Sequence, residues 1–431
     1  MREASRIFSA TFVAFFALLT AMPAFASDYT LGIFGNANMD DRIDEKDIDY
    51  LKGVISGTNP ATNLSDANYD GKIDAHDIDQ IKYIISGDER NLTLETFTIY
   101  EEAKVVTVPK PVKRIVVLPI CNGEAMMCVN SADKVVGVGS GFSEDKNRAI
   151  FPLLSQLPTV GKWSDPDIEA IVSLDPDLVI ADLRWPDPEE LEDKLQGFGI
   201  PVVRMGFTYP DFSLQEMLML GYLLDERDSA EKFVAFEKGY LDLIEDRLAA
   251  LSDDEKPRVF PMYSIWKPGS EGSIVHMLCL KAGGKNIAAD LRGGTGGMYP
   301  EVDSEWLIMA DPEVMFQWST PGGYNVDDNS EMEAEWLQII SRPELANVTA
   351  IKEQRVYMFA PEITSRPCWF VSLAYLAKWL YPDLFKDLDP QAIHQEYLTR
   401  FLRLDYLDLF IFRFFSQSIA HHLIIDQSIS R

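Results

Sequence analysis

Asp167-Ile-Glu169-Ala-Ile-Val-Ser-Leu-Asp175-Pro176-Asp177-Leu-Val-Ile180 has a counterpart in the second half of the chain, Asp303-Ser-Glu305-Trp-Leu-Ile-Met-Ala-Asp311-Pro312-Glu313-Val-Met-Phe316. Asp, Glu, Asp and Pro recur at one constant offset. Each copy reads as a short helix opened by an acidic cap, an Asp-Pro stop and a buried strand. The apolar run after the stop lacks polar alternation, as in a strand covered on both faces. A unit built twice argues for two like lobes, which places a ligand at their interface.

The flanking sequence extends this pattern. Ile115 to Leu118, Val135–Val138, Leu178–Ala181 and Val202–Arg204 read as parallel strands, with helices at Ile168–Ser173 and 189–197 between them. A helical tract over 213–251 follows, broken around 225–228. Strands at 258–263, 314–317 and Val356–Phe359 resume the alternation, and 368–404 is mostly helical with breaks at Pro382 and Pro390. An edge-like strand is expected over 97–108. The expected class is α/β: two Rossmann-like lobes, 95–212 and 256–408, joined by a long rigid helix within 213–252.

The phrases KRIVVLP (113–119), GEAMMCVNSADKVVGVG (123–139), PTVGKWSDPDIEAIVSLDPDLVIAD (158–182), GIPVV (199–203), AGGKNIAAD (282–290) and EVDSEWLIMADPEVMF (301–316) carry a family likeness. They resemble the iron-siderophore, haem and cobalamin substrate-binding proteins of ABC importers, the class III periplasmic binding proteins, over roughly 95–405. The resemblance implies two α/β lobes on one long helix, limited hinge motion, and a bulky metal chelate handed to a membrane permease with its ATPase. It also implies one docking Glu per lobe, facing permease arginines. The matching positions are Glu169 and Glu305, the pair in the repeat. The plainer alternative is that both are solvated first-turn residues, favourable beside the helix dipole.

Five His in the chain, with His276 alone in the two-lobed region before its helical tail, argue against direct His-based metal capture. A metal arriving inside an organic chelator would meet aromatic and Arg side chains instead. Loops after the strands offer Trp163, Arg184, Trp185, Phe207 with Tyr209, Tyr263, Trp266, Met298 with Tyr299, Trp318 and Arg366. Ordinary packing is the alternative for each aromatic, and pairing with acidic neighbours for each Arg. Arg292-Gly-Gly-Thr-Gly-Gly297 reads as a mobile cleft loop; it lacks the Lys and the strand–helix context of a phosphate loop.

Ahead of the lobes, two segments align in register. Asn36, Asn38, Asp40, Asp44 and Asp47 stand at positions 1, 3, 5, 9 and 12 of a loop, with Arg42 at position 7 supplying a backbone carbonyl. Asp66, Asn68, Asp70, Asp74 and Asp77 repeat this, with Lys72 at position 7. This is the ligand order of a Ca²⁺ loop. Position 8 is Ile43 or Ile73, and the sharp turn at position 6 falls on Gly71 in the second loop but on Asp41 in the first. An apolar helical stripe follows each loop and ends at Gly57 or Gly87. With Asp at position 12 and no convincing helix before either loop, the pair resembles a dockerin, a small α-helical domain over 32–90 holding two Ca²⁺. The residues after position 9, Glu45-Lys46 and Ala75-His76, differ from the small hydroxyl pair usual in cohesin contacts. The plainer alternative is a solvated acidic surface.

The balance of 68 Asp+Glu against 39 Lys+Arg, net −29, disfavours nucleic acid and anionic membranes, which need clustered cations. Arg2 and Arg6, an apolar run at 12–22 and Ala24-Phe25-Ala26 read as a signal peptide over 1–26, with an uncleaved anchor as the alternative. An exported, extracellular or periplasmic protein is expected. The four Cys (121, 128, 279, 368) fit no zinc spacing; Cys121 and Cys128 could pair, or all could be buried thiols. Asn63, Asn91 and Asn347 begin N-x-[ST] sequons, and 409–431 is unassigned. The leading expectation is a non-enzymatic uptake receptor. Its rivals are a dockerin-driven surface scaffold with a passive binding domain, and a tetrapyrrole or metal chelatase-like enzyme.

Overall fold

The computed structural model describes residues 30–98, 101–207, 209–320, 323–324 and 330–405. The expected leader and the segment 409–431 lie outside them. Helices α1 (Glu45–Ser56) and α2 (Ala75–Ser86) follow the two loops. Each opens with a reciprocal capping box, Asp44 with Asp47 and Asp74 with Asp77, and ends on a left-handed glycine, Gly57 or Gly87.

Residues 97–108 are not one edge strand. β1 (Asn91–Thr98) and β2 (Glu101–Pro109) form an antiparallel hairpin. The connection between them contains neither Gly nor Pro, so nothing in the sequence marks it as a turn.

The first lobe contains β3 (Ile115–Val117), α3 (Ile120–Cys128), β4 (Val135–Val138), α4 (Ile168–Ser173), β5 (Leu178–Ala181), α5 (Pro188–Gln196) and β6 (Val202–Arg204). Its sheet is parallel, in the order β4-β3-β5-β6. α6 (Ser213–Leu223) and α7 (Arg227–Leu248) follow, separated by a turn with Asp225 at φ 60°. α7 has 22 residues, which is roughly 33 Å of helix.

The second lobe contains β7 (Arg258–Ser264), α8 (Ile274–Lys281), α9 (Ser304–Ala310), β8 (Val314–Trp318), α10 (Ser330–Ile340) and β9 (Val356–Phe359). β7, β8 and β9 run parallel, with two short strands added at β7.

The sequence repeat is a structural repeat. Asp167 caps α4 by accepting from the Ala170 amide at 3.0 Å, and Asp303 caps α9 by accepting from the Trp306 amide at 2.8 Å. Both helices end at an Asp in the left-handed region, Asp175 (φ 47°) and Asp311 (φ 40°). The carboxylates of Asp177 and Glu313 accept the amides of Arg114 and Arg258, each at 2.8 Å. Those arginines in turn donate to carbonyls at the helix ends, Leu174 and Ala310.

Of the closing helices, α11 (Trp369–Leu380) packs on the second lobe, Trp379 stacking on Tyr357 and Phe359 of β9, while α12 (Pro390–Tyr397) and the turn after it reach α7 and the first lobe. Tyr397 and Phe401 meet Phe233 of α7 edge-on, and Phe401 packs tilted against Phe236. The Tyr397 hydroxyl donates to Glu124 of α3 at 2.5 Å. All four cysteines are buried free thiols. The N-terminal segment is not a loose tether either. Ile33, Leu51, Ile81 and Ile84 share one continuous core with Leu92, Leu94, Met217 and Leu220. No helix among the described residues is long and apolar enough to cross a membrane.

Candidate functional site

Ligands of open α/β sheets sit beyond the carboxyl ends of the strands, and there the second lobe gathers three aromatic rings. Tyr263 ends β7 and is 43% exposed. Its ring lies 4.5 Å from Tyr299 and 5.2 Å, edge-on, from Trp318 at the end of β8. The Tyr299 hydroxyl is pushed up to about 12 by burial and by the neighbouring Tyr263 and Tyr209, while Arg184 opposes the shift. Arg184 and Tyr209 belong to the first lobe, so Tyr299 feels charge from across the cleft. The indole N–H of Trp318 is buried without an acceptor among the described residues. Such an orphan donor suits a ligand oxygen.

The glycine-rich loop positions Tyr299. Gly294 sits at φ 66°, where a Cβ would stand 1.9 Å from the Tyr299 carbonyl, so only glycine allows that approach. Trp163 and Trp185 are 41% and 42% exposed on first-lobe loops.

Three expected cleft residues are engaged elsewhere. Phe207 is fully buried: Gly206 donates its amide to Glu216 at 2.7 Å, which turns the loop after β6 into the core. Trp266 packs on the far face of the second sheet, under the Arg342 guanidinium at 4.3 Å. Arg366 is buried and donates to Glu124 at 2.9 Å and Asn147 at 3.0 Å, both in the first lobe. It is an inter-lobe tie rather than a ligand contact. Its partner Glu124 has a sequence signal of its own, as the lone carboxylate inside the apolar run Ile120–Cys128.

A separate cavity of ≈ 600 Å³ runs along α7, between Asp211, Lys281 and Trp369. None of the expected aromatic residues lines it. Lys281 and Asp211 pair across it at 2.8 Å.

Glu169 and Glu305 are both exposed, each in the first turn of the repeated helix.

In the N-terminal loops, oxygen side chains turn inward. Asp47 accepts the amides of Asn38 (3.1 Å) and Asp44 (2.9 Å); Asp77 accepts those of Asn68 (3.1 Å) and Asp74 (2.8 Å). Asp66 accepts from Asp70 and Gly71. Asp40 and Asp70 accept from Arg42 and Lys72. Burial pushes the Asp47 carboxyl up to about 6 against those two amide bonds, with Asp40 and Asp44 adding repulsion. Among the described residues no three His, Cys, Asp or Glu side chains converge as a metal cluster. The loops' donors are instead mixed carboxylate, amide and carbonyl oxygens, the set a hard cation takes. Asn36 Oδ1, at position 1, is buried and has no hydrogen-bond partner among the described residues. An orphaned acceptor beside mutually repelling carboxylates fits a cation.

The sequence pattern of the family described as periplasmic binding protein matches residues 115–362, more than half of the chain. The chain belongs to that family. This periplasmic binding protein is 26% identical over 290 residues to an uncharacterized ABC transporter substrate-binding lipoprotein, YvrC of Bacillus subtilis, covering 65% of this chain and 84% of the relative. It is 22% identical over 332 residues to the molybdate-binding protein MolA of Haemophilus influenzae, covering 70% and 89%. Its fold matches the TroA-like periplasmic binding protein FepB from Veillonella parvula with a TM-score of 0.63 at 19% identity, over 74% of this chain and 99% of that one. Residues 32–90 lie outside the family match.

Proposed function

We propose that this chain is the exported receptor of an ABC importer. It takes an anionic metal chelate (a ferric siderophore, or a corrinoid or haem) between its lobes and delivers it to a permease. The observation carrying this reading is the aromatic cluster of Tyr263, Tyr299 and Trp318 in the second lobe, with Arg184 and Tyr209 of the first lobe acting electrostatically on Tyr299. Aromatic faces and one guanidinium suit a large, partly apolar anion that brings its own metal ligands. Titrating tryptophan fluorescence with ferric chelates, a corrinoid and haem tests it, with molybdate as the small-oxyanion comparison. Tyr263→Ala and Arg184→Ala are each expected to weaken the best chelate about tenfold, roughly 1.4 kcal/mol. A response to molybdate alone would replace the chelate reading with an oxyanion one.

Docking is assigned to Glu169 and Glu305. Glu169→Ala with Glu305→Ala should leave chelate affinity unchanged while uptake in cells carrying the cognate permease falls at least several-fold. Equal uptake by the double variant would return both residues to plain helix-end roles.

The N-terminal module is assigned two Ca²⁺, held by the two sets of loop residues, which would supply cross-linking charge to loops that otherwise repel themselves. Native mass spectrometry should show two ions per chain. Met39, Ile55, Tyr69 and Tyr83 are exposed on the module. A cohesin-like protein partner is proposed as the module's second role, on its resemblance to a dockerin.

A further inference from the structure

The two N-terminal loops are equivalent in sequence but not in setting. Ile43, at position 8 of the first, is 3% exposed, whereas Ile73 of the second is half-buried. The Ile43 amide donates to the Tyr222 hydroxyl at 2.8 Å, a buried contact with the last turn of α6. Asp41 stands at φ 65°, where the second loop has Gly71. The carboxylate explains the replacement: it accepts from the Leu31 amide at 2.6 Å and from Gln215 of α6 at 3.4 Å. Arg42 reaches Glu231 of α7 at 3.8 Å. Arg227, the first residue of α7, donates to the Ile85 carbonyl in α2 at 3.3 Å and lies over the Tyr222 ring at 5.0 Å. Lys110, just past the hairpin, donates to the Tyr222 and Leu223 carbonyls and to Asp225. The module thus sits on the elbow where the chain leaves the first lobe for the helix joining the lobes.

We infer that a calcium ion in the first loop braces the α6–α7 elbow through Tyr222, so that metal occupancy of the module sets the order of the inter-lobe helix. The inference rests on the calcium reading above. Its physical link is one peptide group. The Arg42 carbonyl, at position 7, would face the ion, and the Ile43 N–H that grips Tyr222 is the other end of the same planar unit. Fixing the carbonyl fixes the N–H, and a cation on the oxygen polarises the group and strengthens its donation. The orphaned Asn36 Oδ1 places an unmet demand for a positive partner in this same loop. Among the described residues, the elbow's contact with the second half of the module runs through the Ile85 carbonyl in α2 and not through a loop peptide, so the two sites differ in consequence.

Hydrogen exchange on the ligand-free full chain, in calcium and in EGTA, tests the brace alongside native mass spectrometry. Metal removal should speed exchange of amides in 213–235 about tenfold and lower the melting midpoint by on the order of 5 °C. Tyr222→Phe should still bind two ions but lose most of the metal effect on 213–235. Two ions bound with indifferent exchange in that segment would overturn the brace while sparing the calcium reading. No ion bound would remove both. The wild-type comparison decides the matter even if Tyr222→Phe proves unstable.

Discussion

Arg366→Met should destabilise the receptor by about 3–5 kcal/mol in urea or thermal denaturation, the cost of breaking a buried ion pair from one side. Arg366 is 4% exposed and its partner Glu124 is 1% exposed. The guanidinium donates to Glu124 at 2.9 Å and Asn147 at 3.0 Å and lies 5.5 Å from the Phe151 ring centre. Burial works against the charged guanidinium, but Glu124 and Glu362 more than offset it and hold Arg366 above its ordinary value. With Met in its place, the Glu124 carboxylate keeps only the Tyr397 hydroxyl and the weak Cys368 thiol contact and must stay buried or take up a proton. The double variant Arg366→Met with Glu124→Gln removes both charges and should recover a large part of the loss. If the double variant is as unstable as the sum of its singles, the pair has no special coupling. The tie joins α3 of the first lobe to the loop after β9 of the second, so wide opening of the lobes would separate two buried charges. This is a physical basis for limited hinge motion.

The lobes were legible because the information that builds them is local. Asp167 and Asp303 cap helices within three residues of themselves, and the apolar runs beyond them have no alternative to burial. Arg366 has an acidic neighbour in sequence, Glu362, which acts on its charge, yet the carboxylate it donates to is another one. Its partner lies 242 residues away, and only the folded chain brings them together. Phe207 and Trp266 misled for a related reason. An aromatic after a strand can turn either way, and the choice is made by Glu216 for one and Arg342 for the other. The hairpin was read as one strand because its turn carries no glycine or proline.

Asp41 shows the same limit at finer scale. In the loop pattern it is a poor substitute for glycine at a left-handed position. In the fold its carboxylate reaches Leu31 and Gln215, contacts that glycine lacks. A departure from a motif was therefore the trace of a tertiary contact, and only the contact gives it meaning.

Glu237→Gln should change how stability depends on pH. Glu237 lies fully buried on α7, its two oxygens accepting from the Trp369 indole N–H (2.7 Å) and the Ser213 hydroxyl (3.1 Å). Burial pushes its carboxyl up from 4.5 to about 8; the Ser213 and Trp369 bonds and the more distant Lys281 only moderate the rise. The folded value lies above the unfolded one, so the folded chain holds the extra proton between those two pH values. Stability contributed by this group is therefore flat below about pH 4.5, falls as pH rises to about 8, and is lowest above that. Gln keeps an acceptor for Trp369 and a donor for Ser213 but cannot ionise. The variant should match wild type near pH 4.5 and exceed it by on the order of a few kcal/mol at pH 9. Urea midpoints at pH 5, 7 and 9 give the comparison, and other titrating groups cancel in the difference between the two proteins. Parallel pH profiles would mean that Glu237 gives up its proton without penalty, through solvent or Lys281. A gap that opens toward alkaline pH would mark the joint of α6, α7 and α11 as the place where the receptor loosens in base.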